Sequence, residues 1–228
     1  MKNLIILSGA GVSAESGIQT FRDGDGLWEN HRIEDVATPE AWARNPELVQ
    51  RFYNMRRQAV ISAQPNAAHS HLSQLQEKYN VQIITQNIDD LHERAGSKFV
   101  LHLHGNIRIA KSSGPNQEQK YYPVHGDSLN LDSDFCDDGY PLRPHVVWFG
   151  EAVPMLDEAA ELCLRADIFL VIGTSLKVYP AASLIHAIPS TCEKIVLDPS
   201  TNQLGLDSSF TQIRATAVEG LETLKTLL

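Results

Sequence analysis

Two stretches of the chain bring together side chains that can do chemistry: "TQNIDDLHERAG", with Gln86, Asn87 and Asp89, and "VLHLHGN", with His102 and His104. An imidazole titrates near pH ~6.5, so it can take or give a proton under neutral conditions. His102 and His104 are two apart in a β-rich run, which puts them on the same side of a strand, with His104 at its end beside Gly105. Gln86, Asn87 and Asp89 follow the β-rich run Val81–Thr85 and so fall at the carboxyl end of a strand, the edge where open α/β sheets bind ligands. Plainer roles compete. Asn87 and Asp89 suit capping of a helix starting near Asp90. His102 reads as a sheet histidine, whereas His104, beside a glycine at a strand end, reads as a base. His69 and His71, two apart at a helix start, lack the i, i+4 spacing of a helical metal pair and read as structural.

A second chemistry is written in glycine. In "IILSGAGVSAESGIQTFRD" the apolar run Leu4–Leu7 suits a strand buried on both faces, and Gly9 and Gly11 follow it, with Ala14 at the third place of a dinucleotide fingerprint. Such a turn lets a phosphate approach the main chain, although a buried turn without a ligand explains the glycines equally well. "VVWFGEAVP" and "VIGTSLKVYPA" each end a further strand with glycine and polar residues. Five polar strand ends describe one site.

The elements that must position these groups alternate. Strands are expected at Leu4–Leu7, Val81–Thr85, Phe99–Leu103, Val146–Phe149, Ile168–Ile172, Lys194–Leu197 and Gln212–Ala217. Helices are expected at Pro46–Ala63, His69–Tyr79, Leu156–Arg165, Ala181–Ile188 and Glu219–Leu227, with Pro39 and Pro46 at helix starts. This predicts an α/β fold with a mainly parallel sheet. Lys111–Gly139 turns polar and poor in aliphatics, as expected of a loop-rich insertion. The 228 residues, 43% hydrophobic, can bury one substantial core. No apolar stretch approaches a membrane span, and Met1–Asn3 lead straight into the first strand, so no membrane partner and a cytoplasmic location are expected. A net charge of −9 without basic runs opposes nucleic-acid binding. Cys136, Cys163 and Cys192 are too few and too scattered for a disulfide framework or a complete metal site, and Cys163 and Cys192 read as packing residues. Nothing in the pattern sets an oligomeric state.

"GAGVSAESGIQTFRD", "TQNIDDLHERAG", "LHGN", "FGE" and "GTSLKVYPA", in this order, resemble the sirtuin family of NAD-dependent protein lysine deacylases. The resemblance implies a Rossmann-like NAD-binding domain (1–26, 71–105 and 146–228) with a small domain made by insertions at 27–70, a helical module, and 106–145, a loop-rich module. It implies that NAD is a co-substrate held at Gly9, Ala10, Gly11 and Ala14, covered by Phe21 and Arg22, and met by Gln86, Gly173, Thr174 and Ser175, with Asp198 at the adenine-side ribose. It implies that His104 is the base, taking a proton from a ribose hydroxyl, and that Asn87 and Asp89 orient the nicotinamide ribose and carboxamide. The partner would be an acylated lysine whose peptide adds a strand between Val147, Phe149 and Gly150 on one side and the segment of Val178 on the other. Where the family often has Asn, this chain has Val196, so a contact to NAD is expected to be lost.

In "RFYNMRRQAV", Tyr53 and Arg56 are three apart on a helix and share a face. This Y-x-x-R resembles the sirtuin branch that removes succinyl, malonyl and similar acyl groups; physically, a guanidinium fork beside a phenol receives a carboxylate, whereas the plain alternative is an arginine in solvent. Most sirtuins carry two C-x-x-C pairs around a structural zinc, and Arg108–Leu142 here contains Cys136 alone. No metal is expected, and Tyr121, Tyr122, Phe135 and Tyr140 are expected to form a compensating cluster. Two rivals remain at this level: protein ADP-ribosyl transfer, and an NAD-sensing protein without catalysis.

Overall fold

The computed structural model describes residues 1–19, 27–28, 31–201 and 204–228. The chain runs β1 (Asn3–Ser8), α1 (Gly11–Ala14), β2 (Leu27–Trp28), β3 (His31–Arg32), α2 (Ile33–Val36), α3 (Pro39–Arg44), α4 (Pro46–Ser62), α5 (Ala67–Gln74), a 3-10 turn at Leu75–Glu77 and β4 (Asn80–Thr85). It continues through α6 (Leu91–Arg94), β5 (Val100–His102), β6 (Gly105–Ser112), β7 (Tyr121–Pro123), β8 (Leu142–Val146), α7 (Leu156–Cys163), β9 (Ile168–Ile172), a 3-10 segment at Ala181–His186, β10 (Glu193–Leu197), β11 (Phe210–Ile213) and α8 (Leu221–Leu227).

Six strands form a parallel sheet in the order β11-β10-β9-β1-β4-β5. The continuous apolar runs explain its burial, because alternate residues serve opposite faces. Leu4, Ile6, Ile168, Leu170 and Ile172 pack on one side with Ala68 and Leu72 of α5 and Leu221 and Leu224 of α8. Ile5, Leu7, Phe169 and Val171 pack on the other with Ala159, Leu162 and Cys163 of α7 and with Ala181 and Leu184. Cys163 and Cys192 are both buried and free, in the packing role expected of them. From β1 the chain builds outward through β4 and β5, then restarts on the other side of β1 with β9. The crevice between β1 and β9 is therefore the topological switch point, where ligands of such sheets bind.

Outside the sheet, α3 and α4 begin as their sequence dictates. Thr38 accepts from the Ala41 N–H and Asn45 from the Leu48 N–H, and a proline follows each cap. Helix α4 packs Val49, Phe52, Tyr53 and Val60 against Ile107, Val146 and Trp148. The insertion folds as a three-stranded antiparallel sheet, β7-β6-β8.

Several expectations need correction. Val146–Phe149 is not a sheet strand: β8 ends at Val146, and the chain leaves its ladder as the Val147 and Phe149 N–H groups turn to the carbonyls of His104 and Ala37. The Ala181–Ile188 helix is a short 3-10 segment, and the last strand lies at Phe210–Ile213. Helix α5 starts before His69 because the Asn66 side chain caps the Ala68 and His69 N–H groups. The aromatic cluster fails as well. Tyr121, Phe135 and Tyr140 are exposed and of the four only Tyr122 packs on the core of the insertion, which Ala110, Val124, Leu129, Cys136 and Leu142 make. Val196 is fully buried inside β10 and packed in the sheet core, so an amide there would be buried rather than offered to a ligand. Phe21 and Arg22 lie outside the described residues.

Candidate active site

The turn after β1 and the turn after β9 interlock across the switch point. Gly9 N–H donates to the Ile172 carbonyl at 3.1 Å and Gly11 N–H to the Gly173 carbonyl at 2.8 Å. A Cβ on Gly11 would lie 2.8 Å from Gly173 Cα, and one on Gly173, at φ 62°, would lie 2.5 Å from Val12 N. The glycines are thus required by two backbones in contact, before any ligand is considered. The amides of Gly9, Gly11, Val12 and Ser13 are all bonded within the protein, so the turn offers close access to the main chain rather than a ring of unsatisfied donors. Ala10 lies in the turn and Ala14 is exposed at the end of α1. Thr174 and Ser175 are buried, and Thr174 Oγ1 accepts from Gln86 Nε2 at 3.0 Å, tying the β9 turn to the β4 turn. Asp198, 3% exposed at the end of β10, accepts from the Ser200 N–H.

Asn87 and Asp89 meet on Ser13. The Asn87 side-chain amide donates to Ser13 Oγ at 3.1 Å, and the Ser13 hydroxyl donates to Asp89 Oδ2 at 2.9 Å. Asp89 Oδ1 also accepts the Leu91 N–H, so the capping role and the place in the site are held at once. Burial pushes the Asp89 carboxyl above its ordinary pKa, opposed by the Leu91 amide, the Ser13 hydroxyl and the charge of His102. Behind Ser13, His69 Nδ1 accepts from the Asn66 N–H and Nε2 faces Ser13 Oγ at 3.4 Å. The His69 ring meets the His92 ring edge-on at 5.0 Å, and His92 Nε2 bonds Ser8 Oγ at 2.9 Å. Ser13 and His69 were not singled out from sequence as part of this group. The only available signal was that a polar Ser follows the glycine turn and a His caps the helix beside it.

His104 stands just past β5 with Nδ1 3.0 Å from the Gln86 carbonyl. That carbonyl can only accept, so Nδ1 carries the proton and Nε2 the lone pair. Burial lowers the His104 pKa, with the Gln86 carbonyl opposing, which keeps the ring a neutral base at neutral pH.

On the other side of α4, Tyr53 is fully buried and its hydroxyl accepts from Trp148 Nε1 at 3.0 Å. Burial raises the phenol pKa well beyond its ordinary value, so it remains a hydroxyl donor. Arg56 is 4% exposed, not in solvent, and donates to the Gln19 carbonyl, two residues before Phe21. Trp148 is fixed from below: the Arg143 guanidinium lies 3.3 Å from its ring centroid and grips Glu151 at 2.7 Å. Phe149 and Gly150 are exposed, and Val147 and Val178 half-buried. Among the described residues no group of three His, Cys, Asp or Glu side chains could hold a metal ion, and the Cys136 thiol donates to Ser112 Oγ, so the insertion does not fit a tetrahedral zinc. Among the described residues no helix is long and apolar enough to cross a membrane.

Residues 9–180 match the model of the Sir2 family. An NAD-dependent protein deacylase of Bacteroides thetaiotaomicron is 46% identical over 230 residues, covering 100% of this chain and 98% of that one. A solved Sir2 homolog–NAD complex superposes with a TM-score of 0.87 at 40% identity, covering 99% of this chain and 89% of that one. A Sir2–p53 peptide–NAD+ structure gives a TM-score of 0.77 at 31% identity, covering 98% and 92%. The chain belongs to the Sir2 family of proteins, the sirtuins.

Proposed function

We infer that this sirtuin is an NAD-dependent protein deacylase that takes acyl groups from lysine side chains, releasing nicotinamide and O-acyl-ADP-ribose. One observation carries the reading: two interlocked glycine turns at the switch point share their sheet edge with a neutral His104 whose Nε2 holds a lone pair and with the Ser13-linked pair Asn87 and Asp89. NAD supplies the electrophilic ribose carbon and the leaving nicotinamide. The protein supplies orientation and proton transfer. Gly9, Ala10, Gly11, Ala14, Gly173, Thr174 and Ser175 shape the backbone for the pyrophosphate, with Gln86 holding Thr174 and Asp198 at the adenine-side ribose. Phe21 and Arg22 are assigned to the nicotinamide side by the family resemblance alone. Asn87 and Asp89 hold the nicotinamide ribose and carboxamide, and His104 Nε2 accepts a ribose hydroxyl proton. The division into 1–26, 71–105 and 146–228 against 27–70 and 106–145 is the domain arrangement that goes with this reading.

Acyl choice is assigned to Tyr53 and Arg56, a buried phenol and guanidinium on one face of α4, fitted to a terminal carboxylate such as that of succinyl or malonyl. The peptide lies as a strand along Val147, Phe149 and Gly150, facing the segment of Val178. Since the Val147 and Phe149 N–H groups are already used, main-chain pairing on this side draws on carbonyl oxygens. The test is incubation of the protein with NAD and succinyl-, malonyl- and acetyl-lysine peptides. Nicotinamide release that depends on peptide, fastest with succinyl or malonyl, is expected. Folded protein that releases none with any peptide rules the deacylase reading out, and labelled NAD that marks protein without peptide favours ADP-ribosyl transfer instead.

A further inference from the structure

His102 does more than fill the sheet edge. Its Nδ1 lies 3.0 Å from the Asn87 carbonyl, and its Nε2 lies 2.7 Å from Glu93 Oε1. Both neighbours are acceptors, so both ring nitrogens are asked to donate, and only an imidazolium can do so. The Asn106 amide nitrogen is 3.3 Å from the same Nε2, and the far shorter carboxylate contact decides the protonation. We propose that His102 and Glu93 form a positioning dyad that sets the Asn87–Asp89 segment for the nicotinamide end of NAD. The proposal rests on the reading of Asn87 and Asp89 given above.

The geometry is specific. Glu93 on α6 holds one end of the ring, and the other end holds the main chain of the residue whose side chain reaches Ser13. The side chain of His102 is 12% exposed and that of Glu93 39%, so the ring is shielded while the carboxylate stays partly solvated. Burial alone would lower its pKa, but the Glu93 hydrogen bond and charge, the Asn87 carbonyl and the Asp89 charge raise it above the ordinary value. The cation in turn favours the ionised form of buried Asp89. Among the described residues, His92 of α6 and His145 of β8 also feel the charge of His102, and burial first, with that charge assisting, pushes both toward the neutral form. The site therefore holds two histidines of opposite duty, two residues apart: His104 neutral as a base and His102 charged as a brace.

The experiment measures kcat and KM for NAD and for acyl-peptide across pH in wild type, His102→Gln, Glu93→Gln and, as comparator, Asn87→Ala. His102→Gln is expected to lower kcat/KM for NAD on the order of tenfold, to leave the peptide KM unmoved, and to abolish the alkaline limb that wild type shows as the imidazolium is lost. Glu93→Gln keeps an acceptor but withdraws the charge, so it should move that limb toward acid. Unchanged NAD kinetics and an unchanged limb in both variants would overturn the dyad. So would equal loss of NAD and peptide parameters together with a lowered Tm, which marks a merely structural pair. If Asn87→Ala impairs NAD use while both dyad variants do not, only the dyad fails; if Asn87→Ala is silent, the reading of the strand-end site fails and the dyad with it.

Discussion

At the scale of single residues, the site works by assigning different protonation states to similar groups. The Gln86 carbonyl fixes the His104 tautomer and burial keeps the ring neutral, so the acid limb of kcat/KM should lie below the ordinary histidine value of ~6.5. His104→Ala should abolish peptide-dependent nicotinamide release while NAD binding, measured calorimetrically, and Tm stay close to wild type; activity near wild type would remove His104 from the reaction. Arg56 makes a separable contribution. Arg56→Met keeps much of the buried stem but deletes the fork, and a charged hydrogen bond contributes ~1.5–3 kcal/mol, so kcat/KM for a succinyl peptide should fall roughly tenfold to a hundredfold. Acetyl peptide should be nearly unaffected. A parallel loss with both peptides would place Arg56 in support of the Gln19 segment that it already touches.

At the scale of elements, the sequence was most legible where one rule governs a segment. Doubly buried runs such as Leu4–Leu7 and Ile168–Ile172 read directly as strands, and the site residues fall at the ends of β1, β4, β5 and β9, where the sequence placed polar clusters. It was least legible where partners distant in sequence decide. "VVWFGE" looks like a strand end, yet its N–H groups go to His104 and Ala37. His69 and His102 look structural one at a time, and only the fold brings them to Ser13 and to Asn87. The insertion is the clearest case, since aromatic residues suggested its core and aliphatic ones form it. Its polar ties are Lys111, 4% exposed, on Glu118 at 2.5 Å, the Tyr121 hydroxyl on Glu118 at 2.7 Å, and Asn54 and Gln50 of α4 on the Leu129 carbonyl. Given these ties, a chelator is expected to leave Tm unchanged and elemental analysis to find far less than one zinc per chain; stoichiometric zinc would overturn this account of the insertion.

At the scale of the whole molecule, the buried histidines couple catalysis to the pH range in which the protein stands. Burial lowers His69 to about 4, His92 to about 3, the latter with help from the charges of His69 and His102, and His145 to about 4, with Lys111 contributing. Unfolded, each would titrate near ~6.5. A depressed pKa gives stability that is present above pH ~6.5 and is lost as pH falls toward the folded value, because the unfolded chain binds the extra proton first. Each such histidine withdraws about 1.4 kcal/mol per pH unit across that window. The overall charge works the other way: at −9, self-repulsion relaxes as the solution becomes more acid, which alone would stabilise. Three buried neutral rings outweigh diffuse, salt-screened repulsion. His102 has the opposite sign. Its raised pKa gives stability that is complete below pH ~6.5 and disappears as pH rises through the folded value. Stability should therefore peak near neutrality and fall on both sides for different histidines. Urea melts at pH 7.5 and 5.5 should show a clear loss at the lower pH, and the loss should be smaller in His92→Asn, which removes one titrating ring. His102→Gln should enlarge that acid loss, because the ring contributes more at pH 5.5 than at 7.5, while flattening the alkaline side. Equal acid sensitivity in wild type and His92→Asn would mean that burial does not depress His92 below its unfolded value.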